Sequence, residues 1–95
     1  MIEMVEGLHL IPEHMRESIV AWILRGEPHP EFMGSFMRAV LTNDLMGAFS
    51  SADEENASRM QRWVRFLYNH APSECYGSLD RVKSWHERGG IEGRS

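Results

Sequence analysis

The chain predicts an all-α fold, a compact four- to five-helix bundle forming a single domain. Three observations lead there. Apolar residues recur at helical spacing in every long segment, and no segment alternates as a strand would. Gly, Pro, Ser and Asp punctuate the chain where helices would stop and start. Ninety-five residues with three Trp, four Phe and seven Met carry enough apolar surface for one core, at a size where a second is not expected.

Taken in order, Met1 to Ile11 reads as a lead-in whose Leu8, Leu10 and Ile11 tuck against the core. Pro12 opens the first helix, where its missing N–H costs nothing. Met15, Ile19, Trp22 and Ile23 form its buried stripe, with Val20 and Leu24 beside it, and Gly26 ends it in a left-handed cap. Glu27 to Pro30 is a stiff connector. The stretch from Phe32 to Ala52, FMGSFMRAVLTNDLMGAFSSA, is apolar on nearly every side if it runs as one helix, so it is expected to be the enclosed core element.

Asn43 and Asp44 interrupt that greasy rod. A carboxylate on the side of Met33, Met37 and Val40 would need a cationic or backbone partner. Either Thr42 or Asn43 caps a second short helix near Asp44, or Asp44 pairs with an arginine of the next helix. The functional alternative is that Asn43 and Asp44 line a ligand or partner cavity.

Ser51 and Glu54 fit the capping-box pattern, so a third helix is expected from Ala52 to His70 or Ala71. Its core side is read as Ala57, Met60, Val64, Leu67 and Ala71, with Trp63 at the margin. PSECYG is a turn, and Ser78 caps a last helix with Leu79, Val82 and Trp85 inward and Gly89 as the stop. The domain is thus 1–88. Residues 89–95 read as a flexible tail, and their IEGR matches a protease site used in expression vectors, so they are set aside.

The formal net charge is −4, unevenly spread. Residues 1–31 hold six acids and two bases, and residues 59–88 hold six bases and three acids. Net acidity argues against nucleic acid as the main partner. The single Cys75 excludes an internal disulfide framework and fits a reducing compartment. The N-terminus lacks the basic start of a signal peptide, and no apolar run is long enough for a bilayer. A cytoplasmic protein without a membrane partner is expected, and a chain this small commonly gains stability as a homo-oligomer.

Candidate chemistry concentrates on the third helix. Arg59, Arg62 and Arg65 lie opposite its assigned core side, together with Phe66 and Asn69. A solvent-facing phenylalanine among guanidiniums can stack a nucleotide whose phosphate the arginines hold, or anchor a protein interface. The ordinary alternative is a Phe66 packed inside with arginines paired to local acids. Five histidines (His9, His14, His29, His70, His86) show no i, i+4 pair for zinc, and His70 with Cys75 supplies only two ligands where four are needed. No Gly-rich phosphate loop is present, and no cofactor is expected. Cys75 would be a nucleophile only beside an activating base. An enzyme is not expected.

From Ile11 to Trp85 the chain resembles a family of short proteins encoded by tailed phages and prophages. The resemblance rests on IPEHM (11–15), AVLTNDLMGA (39–48), ADEEN (52–56), FLYNHAPSEC (66–75), GS (77–78) and Trp85. It implies no catalytic residue. It implies a small non-catalytic accessory protein in the host cytosol that binds and blocks a host protein, as counter-defence products do. The alternatives are sequestration of a small nucleotide signal in a pocket or subunit interface, and helix-turn-helix-like DNA binding with the third helix as reader.

Overall fold

The computed structural model describes residues 5–93. Among the described residues there are six α-helices: α1 (Glu13–Arg25), α2 (Ser35–Leu41), α3 (Leu45–Ser51), α4 (Glu54–Ser58), α5 (Met60–His70) and α6 (Leu79–Arg88). Single 3₁₀ turns at Leu8–Leu10, Pro30–Phe32 and Ser73–Cys75 occupy the lead-in and two connections. No strand occurs among the described residues. The all-α, single-domain architecture is the one the apolar spacing predicts, with six helices in place of four or five.

Helix α1 follows its sequence closely. Ile19, Val20, Trp22, Ile23 and Leu24 are buried, and Gly26 closes the helix in the left-handed region at φ 66°. Pro12 stands one residue earlier than expected, as the N-cap. At the start of α1, His14 lies 3.1 Å from Asp53 and 3.5 Å from Glu55, which ties this end to the start of α4.

The central stretch departs from the expected single rod. It breaks into α2 and α3 at Thr42-Asn43-Asp44. The Asn43 amide donates to Val40 O (3.2 Å) and the Asp44 amide to Ala39 O (2.8 Å), the paired bonds of a Schellman stop. Asn43 adopts φ 66°, a conformation that asparagine tolerates better than most side chains. Asp44, not Thr42 or Asn43, caps α3: its Oδ1 accepts from the Gly47 amide at 3.0 Å. The break redirects the chain, so Phe36, Met37, Ala39, Leu41 and Ala48 are buried while Phe32, Leu45, Met46 and Phe49 face solvent.

The expected third helix is likewise two. Asp53 rather than Ser51 is the cap, accepting from the Asn56 amide at 2.7 Å. The backbone swings at Arg59 (φ −110°, ψ 17°) between α4 and α5. Asn56 is buried because its Oδ1 accepts from Trp63 Nε1 at 3.0 Å, which satisfies two polar groups at once.

Three tryptophans organise the core, and each indole N–H has an acceptor, as burial demands. Trp22 donates to Cys75 O (2.9 Å), Trp85 to Trp22 O (2.7 Å) and Trp63 to Asn56. Phe36 meets Trp63 edge-to-face at 5.5 Å.

Ser78 caps α6 and Gly89 ends it at φ 83°. Val82 and Trp85 are buried, but Leu79, expected inward, is exposed. The expected flexible tail is corrected over its first part. The Ile91 and Glu92 amides donate to Ile23 O and Leu24 O at 3.1 and 2.8 Å, docking 89–93 on the C-terminal end of α1. These carbonyls belong to a helix end that otherwise leaves them without partners. Residues 94–95 lie outside the described residues.

Candidate functional site

The buried and exposed faces of α5 decide where a site can be. Trp63, Phe66 and Leu67 are its buried residues, so the core face is centred about a quarter turn away from the stripe read from the sequence, at 100° per residue. Phe66 is fully buried and lies beside His70. The solvent-facing phenylalanine is therefore corrected: Phe66 belongs to the core, and it leaves the arginine face without a stacking ring. The exposed aromatic of α5 is Tyr68, at 80% exposure.

The arginines divide. Arg59 sits at the α4–α5 joint with its Nε 3.5 Å from Glu55, a local pair of the kind expected to contribute little. Arg62, Arg65 and Asn69 are exposed on the outer side of α5. Neither Arg62 nor Arg65 meets a carboxylate among the described residues.

The stripe misread as core becomes one wall of a groove. Val64 is 60% exposed and, with Tyr68, faces Leu45 of α3, itself 65% exposed. Val40, Ala48 and Tyr76 contribute to the lining. The groove encloses about 250 Å³ and is mostly apolar. Asn43 and Asp44 are among its lining residues. The turn that Asn43 and Asp44 build separates α3 from α2 and lies at this groove.

Elsewhere on α3, Met46 and Phe49 are also exposed. A short helix with Leu45, Met46 and Phe49 in water is unusual for a settled core, and a connected apolar patch marks a binding surface more often than a scattered one. Sequence reasoning missed Leu45, Val64 and Tyr68. The signal that finds them is a surplus: α5 carries apolar residues on two faces, and one helix cannot bury both in a core this small.

No family model, curated protein or solved structure matches the chain.

The remaining candidates separate cleanly. Cys75 is buried, and desolvation, helped by the nearby Glu74 charge, pushes its thiol up to about 12, far from a nucleophilic thiolate at neutral pH. His29 and His86 pack edge-to-face at 4.9 Å, with His86 Nδ1 bonded to Gly26 O at 2.8 Å and His29 Nδ1 accepting from the Glu31 amide. The His86 bond ties α6 to the C-terminal end of α1, while the His29 bond stays within the α1–α2 connection. Among the described residues no group of three or more His, Cys, Asp or Glu is placed to hold a metal, and no helix is long and apolar enough to cross a membrane.

Proposed function

We propose that the protein is a non-catalytic binding protein that occludes a partner protein through the α3–α5 face. The observation that carries this is the mostly apolar groove in which exposed Leu45, Val64 and Tyr68 come together, with Met46 and Phe49 also exposed on α3 and Arg65 on the side of Tyr68 away from Val64. Tyrosine and arginine beside exposed aliphatic side chains is the composition that protein interfaces favour. The resemblance to short tailed-phage proteins supports a host protein as the partner and a counter-defence role, acting in the host cytosol. Nucleotide sequestration has lost its stacking residue with the burial of Phe66, and the groove is lined by apolar side chains instead of phosphate-binding cations.

The test is affinity capture from host lysate with the wild type and with Val64→Glu and Tyr68→Ala. Both sites are exposed, so the variants keep the fold, and far-UV circular dichroism checks that they do. A host protein retained by the wild type and lost from both variants supports the reading. Identical captured sets for all three proteins defeat it.

A further inference from the structure

The two histidines that meet between the α1–α2 connection and α6 take up a proton at different cost. We infer that His29 and His86 form an acid-sensitive latch. It is shut while His29 is neutral; a proton on His29 uncaps the Pro30–Phe32 turn and parts its ring from α6. None of these groups lines the α3–α5 groove, so the latch stands or falls apart from the proposed binding role.

The hydrogen bonds fix where the protons sit. The Glu31 amide donates to His29 Nδ1 at 3.0 Å. That nitrogen therefore presents a lone pair, and the neutral ring keeps its hydrogen on Nε2. His86 Nδ1 lies 2.8 Å from Gly26 O. A carbonyl only accepts, so this nitrogen carries a hydrogen whether the ring is neutral or charged. Further protonation enters His86 at Nε2 and leaves its bond to α1 intact. On His29 the vacant position is Nδ1 itself, and a proton there sets N–H against N–H. The turn then loses its cap, because His29 is the N-cap of Pro30–Phe32 and its ring supplies the acceptor.

The contact between the rings adds a penalty of the same sign. Their centroids are 4.9 Å apart at an interplanar angle of 78°, an edge-to-face arrangement that suits uncharged rings. His86 keeps its bond when charged, and its charge opposes a second one on His29. The other ring near His29 is Phe32, at 6.1 Å, which is uncharged.

Neighbouring charges do not decide the outcome. The groove beside the two rings is lined by Glu31 of the connection, Arg38 of α2, and Lys83 and Glu87 of α6. None of the four is ion-paired among the described residues. Two acids and two bases offset one another, which leaves the Glu31 bond and the ring contact to set the sign. At the end of α1, Arg25 is taken up by Glu27 at 3.3 Å. The latched state is thus complete at a pH where His29 is neutral, and it is lost as pH falls through the range in which imidazole changes charge. Pro30 is buried and keeps the connection on the bundle, so the event is a local release and not unfolding.

The experiment is NMR of the full chain, labelled with ¹⁵N, from pH 8 to pH 5. At pH 8 the imidazoles are expected to show opposite tautomers, with hydrogen on Nε2 in His29 and on Nδ1 in His86. On acidification the Glu31 amide proton should move upfield in step with the titration of His29, and its exchange protection should fall about threefold or more. His29→Asn keeps a side-chain oxygen able to cap the turn but has no titrating ring. In that variant the Glu31 amide should hold its shift and protection over the same range. A neutral His29 with hydrogen on Nδ1, or a Glu31 amide indifferent to acid, overturns the latch. So does a His29→Asn variant whose Glu31 amide titrates as in the wild type. Loss of the whole bundle's amide dispersion over this range would also overturn it, since the release would then be global. The first two readings come from the wild type and decide the matter even where the variant does not fold.

Discussion

At Asn43 the backbone sits at φ 66° while Asp44 holds the next helix by its carboxylate, so neighbouring side chains carry two separable costs. Asn43→Gly is expected to leave stability within about 0.5 kcal/mol, because glycine accepts the left-handed region but loses more chain entropy. Asn43→Val should cost about 1–2 kcal/mol through its Cβ branching in that region. Asp44→Ala should cost about 1 kcal/mol as a lost cap. Urea unfolding of the three variants measures all of this, and an Asn43→Gly cost as large as that of Asn43→Val would refute the conformational account.

Cys75 offers a pH test on the same scale. Its folded pKa, about 12, lies above the unfolded 9.0, so the folded state holds its proton longer. The associated stability is fully present below pH 9 and is lost as pH rises towards 12, with a slope of at most about 1.4 kcal/mol per pH unit. Tyr76 is raised as well, chiefly by desolvation, and adds loss in the same direction. Urea midpoints should therefore fall above pH 9, and Cys75→Ala should flatten part of that fall while leaving the contribution of Tyr76. Iodoacetamide should label the native thiol far more slowly than the urea-unfolded one.

At the scale of the element, α5 divides its side chains between core and surface. Phe66→Ala should cost about 3–5 kcal/mol, the range for an enclosed aromatic, whereas Tyr68→Ala should stay within about 0.5 kcal/mol. Thermal or urea unfolding distinguishes them; comparable losses would mean that the two faces had been exchanged. Helix α1 was readable from its sequence because a single stripe ends at one glycine. The phase of α5 was not, since Met60, Val64 and Leu67 make as regular a stripe as Trp63, Phe66 and Leu67. Only the partners across the core, Phe36 and Asn56, choose between them. For the same reason the α2–α3 break was visible as a polar interruption at Asn43 and Asp44, but its effect on Leu45 and Phe49 depended on the direction the chain takes afterwards. The corner of the candidate site was legible; its apolar walls were not.

Across the whole molecule, α1 and α6 are held together at their C-terminal ends by the segment that follows Gly89. Gly90 is buried at φ 71°, and a Cβ there would stand 2.5 Å from the Arg25 amide nitrogen and the Leu24 carbonyl carbon. Gly90→Ala is expected to lower the melting temperature through clash and backbone strain together, and a chain ending at Gly89 should lose stability by a separate route, the loss of the Ile91 and Glu92 hydrogen bonds. Differential scanning calorimetry tests both, and unchanged midpoints would mean that the segment contributes nothing to the bundle.

The indoles of Trp22, Trp63 and Trp85, each shut away from water and bonded through its ring nitrogen, also make the chain its own spectroscopic gauge. Acrylamide should barely dim the native emission, and any docking event at the outer groove should leave its colour unchanged. A red shift on mixing with a partner would report that the bundle itself had opened.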